Sequence, residues 1–159
     1  MNGIYDGEKC RSRMTEIIFL ALTAWREASG ESMEARTGVI FSILNRVQKP
    51  KWWGYDVLSV VKQKEQYTGL THPGDPNLTR WPSSDEKSWR ECLKVAKLAF
   101  DGEIINPVPG ADSYHDISID PPYWARPEMF VRQIGQLKFY DVDQDYERIA
   151  IICTGANII

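Results

Sequence analysis

Histidine and cysteine are scarce in this chain, and neither falls in a pattern that binds metal. The 159 residues hold two His and three Cys. His72 and His115 are far apart, and Cys10, Cys92 and Cys153 form neither a C-x-x-C pair nor a zinc-finger spacing. The reading is no metal and no cofactor. One disulfide can be drawn among the three thiols, but reduced cysteines in a cytosolic compartment are the simpler reading. An excess of basic charge is also missing. Lys and Arg total 19 against 22 Asp and Glu, a net charge of −3, so the chain has no electrostatic ground for nucleic acid or an anionic membrane surface as partner. No apolar run approaches the ~20 residues that span a bilayer, which argues against membrane insertion. The first eight residues lack a basic n-region and an apolar h-region, so a signal peptide is not expected and synthesis in the cytoplasm is. Repeats and low-complexity linkers are lacking too. With 43% hydrophobic and 26% charged residues, what remains is one globular domain over residues 1–159, large enough to bury a core.

What is present is a succession of amphipathic stripes. Met14, Ile17, Ile18, Leu20, Ala21, Leu22, Ala24 and Trp25 predict a largely buried helix, with Ser12 as its N-cap and Gly30 as its stop. A second helix is predicted over about 32–48, with Ala35, Val39, Ile40, Ile43, Leu44 and Val47 on one face and Pro50 ending it. Asp56 reads as the N-cap of a short helix carrying Val57, Leu58, Val60 and Val61. Residues 66–83, rich in Gly and Pro, read as a long loop of the kind that often carries function. Ser83-Ser84-Asp85-Glu86 reads as a capping box that opens a helix running through Trp89, Cys92, Leu93, Ala96 and Phe100 to Gly102. The final third is broken by prolines into short extended pieces, with a strand expected at Leu137–Tyr140. The fold class that follows is mainly α (α+β): a helical domain with a small, irregular β or extended part in the C-terminal third.

Glu27 is the residue with the strongest claim to chemistry. It stands where an apolar helix runs out beside Trp25, just ahead of Gly30. A carboxyl held against apolar side chains resists ionisation, so it can donate a proton near neutral pH, as a general acid at a glycosidic bond must. Glu31 lies four residues on, and on a continuous helix the two carboxylates would share a face. Gly30 argues that the helix has already ended, making Glu31 a first-turn residue of the next helix, favourable to its dipole. Plain surface solvation is the competing reading for both. Gln66-Tyr67-Thr68 brings an amide, a ring and a hydroxyl together, and Tyr114-His115 with Pro121-Pro122-Tyr123-Trp124-Ala125 forms a second polar-aromatic cluster. Sugar sites use that mixture, amides and hydroxyls for the OH groups and ring faces for the apolar side of the pyranose. Six Trp fit carbohydrate binding and fit a core equally well. Trp89 is assigned to the core, and Trp52, Trp53, Trp81 and Trp124 are left open.

In this order the pieces resemble the spore-cortex-lytic cell-wall hydrolases (the SleB/CwlJ type). Their Glu-Ala-Arg-Gly-Glu is matched by Glu27-Ala28-Ser29-Gly30-Glu31, and their Ile-Leu-Asn-Arg-Val by Ile43-Leu44-Asn45-Arg46-Val47. Their Gln-Phe-Ser is matched by Gln66-Tyr67-Thr68, and Tyr-His followed by Pro-x-Trp-Ala by Tyr114-His115 and Pro122-Tyr123-Trp124-Ala125. The closing Ile-Gly-x-x-x-Phe-Tyr is matched by Ile134-Gly135 and Phe139-Tyr140. The five motifs run over about residues 14–140. Ser29 replaces the usual Arg, and Tyr67-Thr68 replaces Phe-Ser.

The resemblance implies a lysozyme-like domain acting on the glycan strands of bacterial peptidoglycan at the MurNAc–GlcNAc β-1,4 bond, with Glu27 as catalytic acid. It places Gln66, Thr68, Tyr114, His115, Tyr123 and Trp124 at the substrate. A lytic transglycosylase needs one acid/base, because the MurNAc 6-hydroxyl attacks the anomeric carbon, and this is the favoured reading. A muramidase needs a second carboxylate, about 5–5.5 Å away if retaining or about 6.5–9.5 Å if inverting, for which Glu31, Glu65 and Asp75 are the candidates. The rivals are a non-catalytic glycan-binding or virion module and a stem-peptide amidase. The missing wall-binding domain and signal fit a monomeric phage lysis enzyme of the endolysin kind, released to the wall through a holin.

Overall fold

The computed structural model describes residues 7–63 and 66–142. Five helices come first: α1 (Gly7–Glu27), α2 (Met33–Gln48), α3 (Val57–Val61), α4 (Thr68–Thr71) and α5 (Lys87–Phe100). Three strands follow, β1 (Ser113–Asp116), β2 (Phe130–Ile134) and β3 (Leu137–Tyr140). They form an antiparallel sheet in the order β1-β3-β2. The class is mainly α with a small C-terminal sheet, as the stripes and prolines imply.

Helix α1 is the centre of the domain and packs on α2, α3, α4 and α5. Its apolar density explains this, since Leu20, Ala21, Leu22, Thr23, Ala24, Trp25 and Arg26 are all buried. A helix apolar on nearly every side has to be surrounded. It begins at Gly7, so Ser12 lies inside it and is not its N-cap. The apolar stripe starts at Met14 and carries no signal for the turns ahead of it.

Gly30, at φ +87°, takes the left-handed conformation that ends the run after Glu27. Ser32 then caps α2 by accepting the Ala35 amide at 3.2 Å. Glu31 therefore precedes the N-cap and is not in the first turn of α2. Asp56 caps α3 as expected, in a reciprocal box with Ser59. The carboxylate of Glu16 adds to it, accepting Val57 N–H at 2.6 Å and Leu58 N–H at 3.3 Å.

The capping box expected at Ser83 does not form. Helix α5 starts at Lys87 with Glu86 as N-cap and no side-chain cap bond. The Glu86 carboxylate is drawn elsewhere, accepting the Trp25 indole N–H at 3.1 Å and the Ser88 hydroxyl at 2.8 Å, while Ser83 donates to Asp85. The loop expected over 66–83 holds two short helical turns, α4 and a 3-10 turn at Pro76–Thr79.

The sheet docks on α2 where that helix has no side chain. A Cβ on Gly38 would lie 2.6 Å from Phe139 Cζ. The fully buried Phe139 ring thus rests directly on the helix backbone. With the sheet so placed, Ser113 and Tyr114 of β1 line the same cavity as Glu27 at the end of α1.

Candidate active site

Glu27 is the last residue of α1, and its position is fixed by its neighbours on both sides. Arg26 is buried and spans the space to the 69–81 segment, donating to Gly69 O at 3.1 Å and to Arg80 O at 3.0 and 2.7 Å. It also lies 4.7 Å from the Trp81 ring, as Arg80 does from that of Trp25. Ala28 is buried behind. Held between them, Glu27 Oε1 accepts the Gly69 amide at 2.9 Å.

Burial raises the Glu27 pKa above the ordinary carboxylate value. The Gly69 hydrogen bond opposes the shift, and the nearby charge of Asp75 adds to it. Asp75 itself is half-buried and held below its usual value by the Thr68 hydroxyl, donating at 2.7 Å, and the Asn77 amide at 2.8 Å. The two environments push the carboxyls apart, one toward the acid and one toward the ion.

Glu27 opens into a cavity of about 270 Å³ together with Arg46, Gln66, Tyr67, Ser113, Tyr114 and Trp124. Burial raises the phenols of Tyr67 and Tyr114 above the normal tyrosine range, so both are neutral O–H groups at neutral pH. A second compartment of about 290 Å³ shares Arg46, Gln66, Ser113 and Trp124 and adds Trp52, Trp53, Asp112 and Tyr123. The two share four lining residues and together make a cleft, with the half-buried Glu27 in its inner compartment and the exposed Tyr123 in its outer one.

The buried Arg46 of α2 borders both compartments, and the buried Asn45 beside it anchors the neighbouring chain. Asn45 donates to Val108 O at 3.0 Å and Ala111 O at 2.8 Å, and accepts from Asn106 at 2.8 Å. It thereby fixes the chain leading into β1. Arg46 donates to Asp112 O at 2.7 Å and, through both terminal nitrogens, to Gln66 Oε1 at 3.3 Å. The rings of Trp52, Trp53 and Tyr67 surround its guanidinium at 5.8, 5.2 and 5.6 Å.

Of the residues singled out from sequence, Glu27, Gln66, Tyr114, Tyr123 and Trp124 meet in this cleft. Thr68 does not line either compartment; its hydroxyl is engaged by Asp75. His115 does not line either compartment. It is buried, stacked on Tyr140 with ring centroids 5.5 Å apart, and joined to the Asp116 carbonyl at 2.9 Å. Tyr114 packs with Phe139 on one face of the sheet, and His115 points to the other, against Tyr140 and Trp124. Glu31 turns away from the cleft toward the β2–β3 hairpin, where its Oε2 is 3.3 Å from the place a Gly135 Cβ would occupy. Glu65 lies outside the described residues.

Arg46, Tyr67 and Ser113 are site residues that the sequence reading left unassigned. Arg46 stood inside a quoted motif, and an arginine on the apolar stripe of a helix was the signal for it. Trp53 is buried, with its indole donating to Arg46 O at 2.9 Å, and Trp89 packs against the core as assigned. Cys92 is a free thiol pushed up to about 11 by burial, which suits a packed side chain and not a nucleophile. Cys10 and Cys153 contribute no described side chain. Among the described residues no three His, Cys, Asp or Glu side chains gather as a metal site, and no helix is long and apolar enough to cross a membrane.

Residues 30–140 match the family model described as Cell Wall Hydrolase. The match covers α2 through β3, including Arg46, Gln66, Tyr114 and Trp124, and begins three residues after Glu27. The chain matches no curated protein and no solved structure.

Proposed function

The chain belongs to the cell wall hydrolase family, and from that premise we propose that it cleaves the glycan strand of peptidoglycan at the MurNAc–GlcNAc β-1,4 bond, with Glu27 as the proton donor. The observation that carries the reading is Glu27 itself. It is a carboxyl kept toward its protonated form by burial, pinned through one oxygen to a backbone amide, and opening on a cleft of neutral hydroxyls, an amide and aromatic faces. Protonation of the glycosidic oxygen lets the bond to the anomeric carbon break, and the neutral donors around it suit the hydroxyls of a sugar ring.

We favour the lytic transglycosylase over the muramidase. Among the described residues Glu27 is the one carboxylate lining the inner compartment. In that reaction the ionised Glu27 takes the proton of the MurNAc 6-hydroxyl as its oxygen attacks the anomeric carbon, so no second carboxylate is needed. Asp75 supports the other reading to the extent that it is ionised and close enough for its charge to act on Glu27. Both of its oxygens already accept hydrogen bonds from Thr68 and Asn77, which favours a part in shaping the loop over activating a water. Mass analysis of muropeptides from digested sacculi separates the two. Disaccharide products one water lighter than reducing sugars support the transglycosylase, reducing products support the muramidase, and stem-peptide cleavage alone refutes both.

A further inference from the structure

Tyr67 is a buried phenol whose hydroxyl the fold leaves unused. The residue is 2% exposed, and its ring centroid lies 5.6 Å from the Arg46 guanidinium. Its carbonyl accepts from Leu70 N–H at 2.9 Å and from the Thr71 hydroxyl at 3.0 Å. The same turn supplies the Gly69 amide that pins Glu27 Oε1. Backbone and ring are therefore fixed beside the acid. None of the described residues hydrogen-bonds the hydroxyl, yet its oxygen is not sealed in the interior, so it opens on the cavity that Tyr67 lines with Glu27. The charges of Glu27 and Arg46 both act on this phenol, and it acts in turn on that of Tyr114. All three neighbours line the same cavity, which sets the oxygen among the groups around the acid. Packing does not account for it. The Gln-Phe-Ser motif of the related hydrolases has a plain ring at this position, and burying a hydroxyl that finds no partner is costly.

We propose that the Tyr67 hydroxyl is a second catalytic group, donating a hydrogen bond to the glycosidic oxygen as that oxygen leaves the anomeric carbon. With Oε1 engaged by Gly69, Oε2 of Glu27 is left to carry the proton. As the C–O bond breaks, its electron pair passes to the leaving oxygen, which takes the proton of Glu27. Tyr67 keeps its own proton, since burial holds the phenol neutral. Its hydrogen bond stabilises the negative charge that builds on the oxygen before proton transfer is complete. A donor aimed at charge that develops only in the transition state lowers the barrier and leaves substrate binding nearly unchanged. In the transglycosylase reaction the 6-hydroxyl closes its ring on the face that the leaving oxygen vacates, so the same donor meets the arriving oxygen. This inference rests on the glycan-cleaving reading and adds to it a second group at the scissile bond.

The test is Tyr67→Phe, assayed by steady-state release of glycan fragments from sacculi across a pH series, with a thermal melt of the same protein. The ring stays and the unused hydroxyl goes, so the variant is expected to melt no lower than the unaltered protein. The expected kcat is lower by about tenfold or more, with KM within about twofold. The alkaline limb set by Glu27 keeps its position, because Tyr67 acts on the substrate oxygen and not through the acid. An unchanged kcat overturns the proposal. So does a loss of rate with a displaced alkaline limb, which would make Tyr67 a support for Glu27. A lowered melting temperature overturns it as well, since the hydroxyl would then belong to the fold. Failure of the cleavage reading shows separately, as glycan strands left intact by the unaltered protein.

Discussion

The carboxylate of Glu27 accepts the backbone amide of Gly69 at 2.9 Å, and Gly69 in turn gives its carbonyl to the guanidinium of Arg26 at 3.1 Å. Two consecutive residues at the end of α1 thus hold one glycine from both sides. The bond orients Glu27 without neutralising the effect of burial. A backbone amide favours the ionised form, yet desolvation is the larger influence and the pKa of the acid is raised.

The first consequence concerns pH. If Glu27 is the proton donor as proposed, it must be protonated to act, and activity is expected to fall as pH rises through its raised pKa. Asp75 contributes to that elevation by its charge. Asp75→Asn removes the charge and keeps groups that can bond Thr68 and the Asn77 amide. The alkaline limb of the pH–rate profile is expected to move to lower pH, with little change in melting temperature. An unmoved limb would mean that the charge of Asp75 does not act on the catalytic acid.

Gly69→Ala tests the positioning. The added Cβ would stand 3.1 Å from Glu27 Oε1 and 3.4 Å from both Arg26 Cβ and Asn77 Cβ. The carboxylate has to give way, and a displaced catalytic group costs up to about a hundredfold in rate. A loss of about tenfold to a hundredfold in kcat is expected. The check is steady-state turbidity clearing of sacculi by protein whose circular dichroism is unchanged.

Glu27→Gln is expected to stabilise the fold at neutral pH. A carboxyl whose folded pKa is raised contributes fully below its unfolded pKa, and that contribution is lost as pH rises through the folded pKa. Above that point the wild-type protein holds a partly buried charge, whereas the amide can still accept from Gly69. Thermal melts at acid and neutral pH should show the variant gaining on wild type as pH rises. A variant that loses ground instead would contradict the raised pKa.

Gly38→Ala addresses the seam between sheet and helix. Alanine is the better helix former, yet its Cβ would lie 2.6 Å from a fully buried ring. Overpacking of this kind costs about 1–3 kcal/mol, more than the roughly 1 kcal/mol gained in helix propensity. Net destabilisation by chemical denaturation is expected, and Phe139→Leu in the same chain should relieve part of it.

How far the sequence revealed this molecule depends on the range of the interactions. The α2 stripe, the stop at Gly30 and the Asp56 cap rest on contacts within a few residues, and all are in the structure. The Ser83 box failed because its glutamate has a partner 61 residues away in Trp25, which local pattern cannot contain. Strands β1 and β2 escaped for the same reason: four or five residues gain their ladder only once β3 stands between them. The raised pKa of Glu27 was legible because an acid at the end of an apolar helix is a local anomaly. Arg46 signalled itself only by its place on the α2 stripe, since its partners Asp112, Gln66 and three rings come from elsewhere in the chain. His115, next to Tyr114 on β1, points to the sheet face that carries Tyr140, a placement that local pattern does not contain.

The most direct test is the release of glycan fragments from purified sacculi by the wild-type and Glu27→Gln proteins, compared at equal concentration and neutral pH. The variant keeps an oxygen for the Gly69 amide and has no proton to give. The expected result is a fall in the rate of about 10²- to 10⁴-fold, in a protein that melts no lower than wild type. Cleavage by the Glu27→Gln protein at the wild-type rate would show that the proton comes from elsewhere.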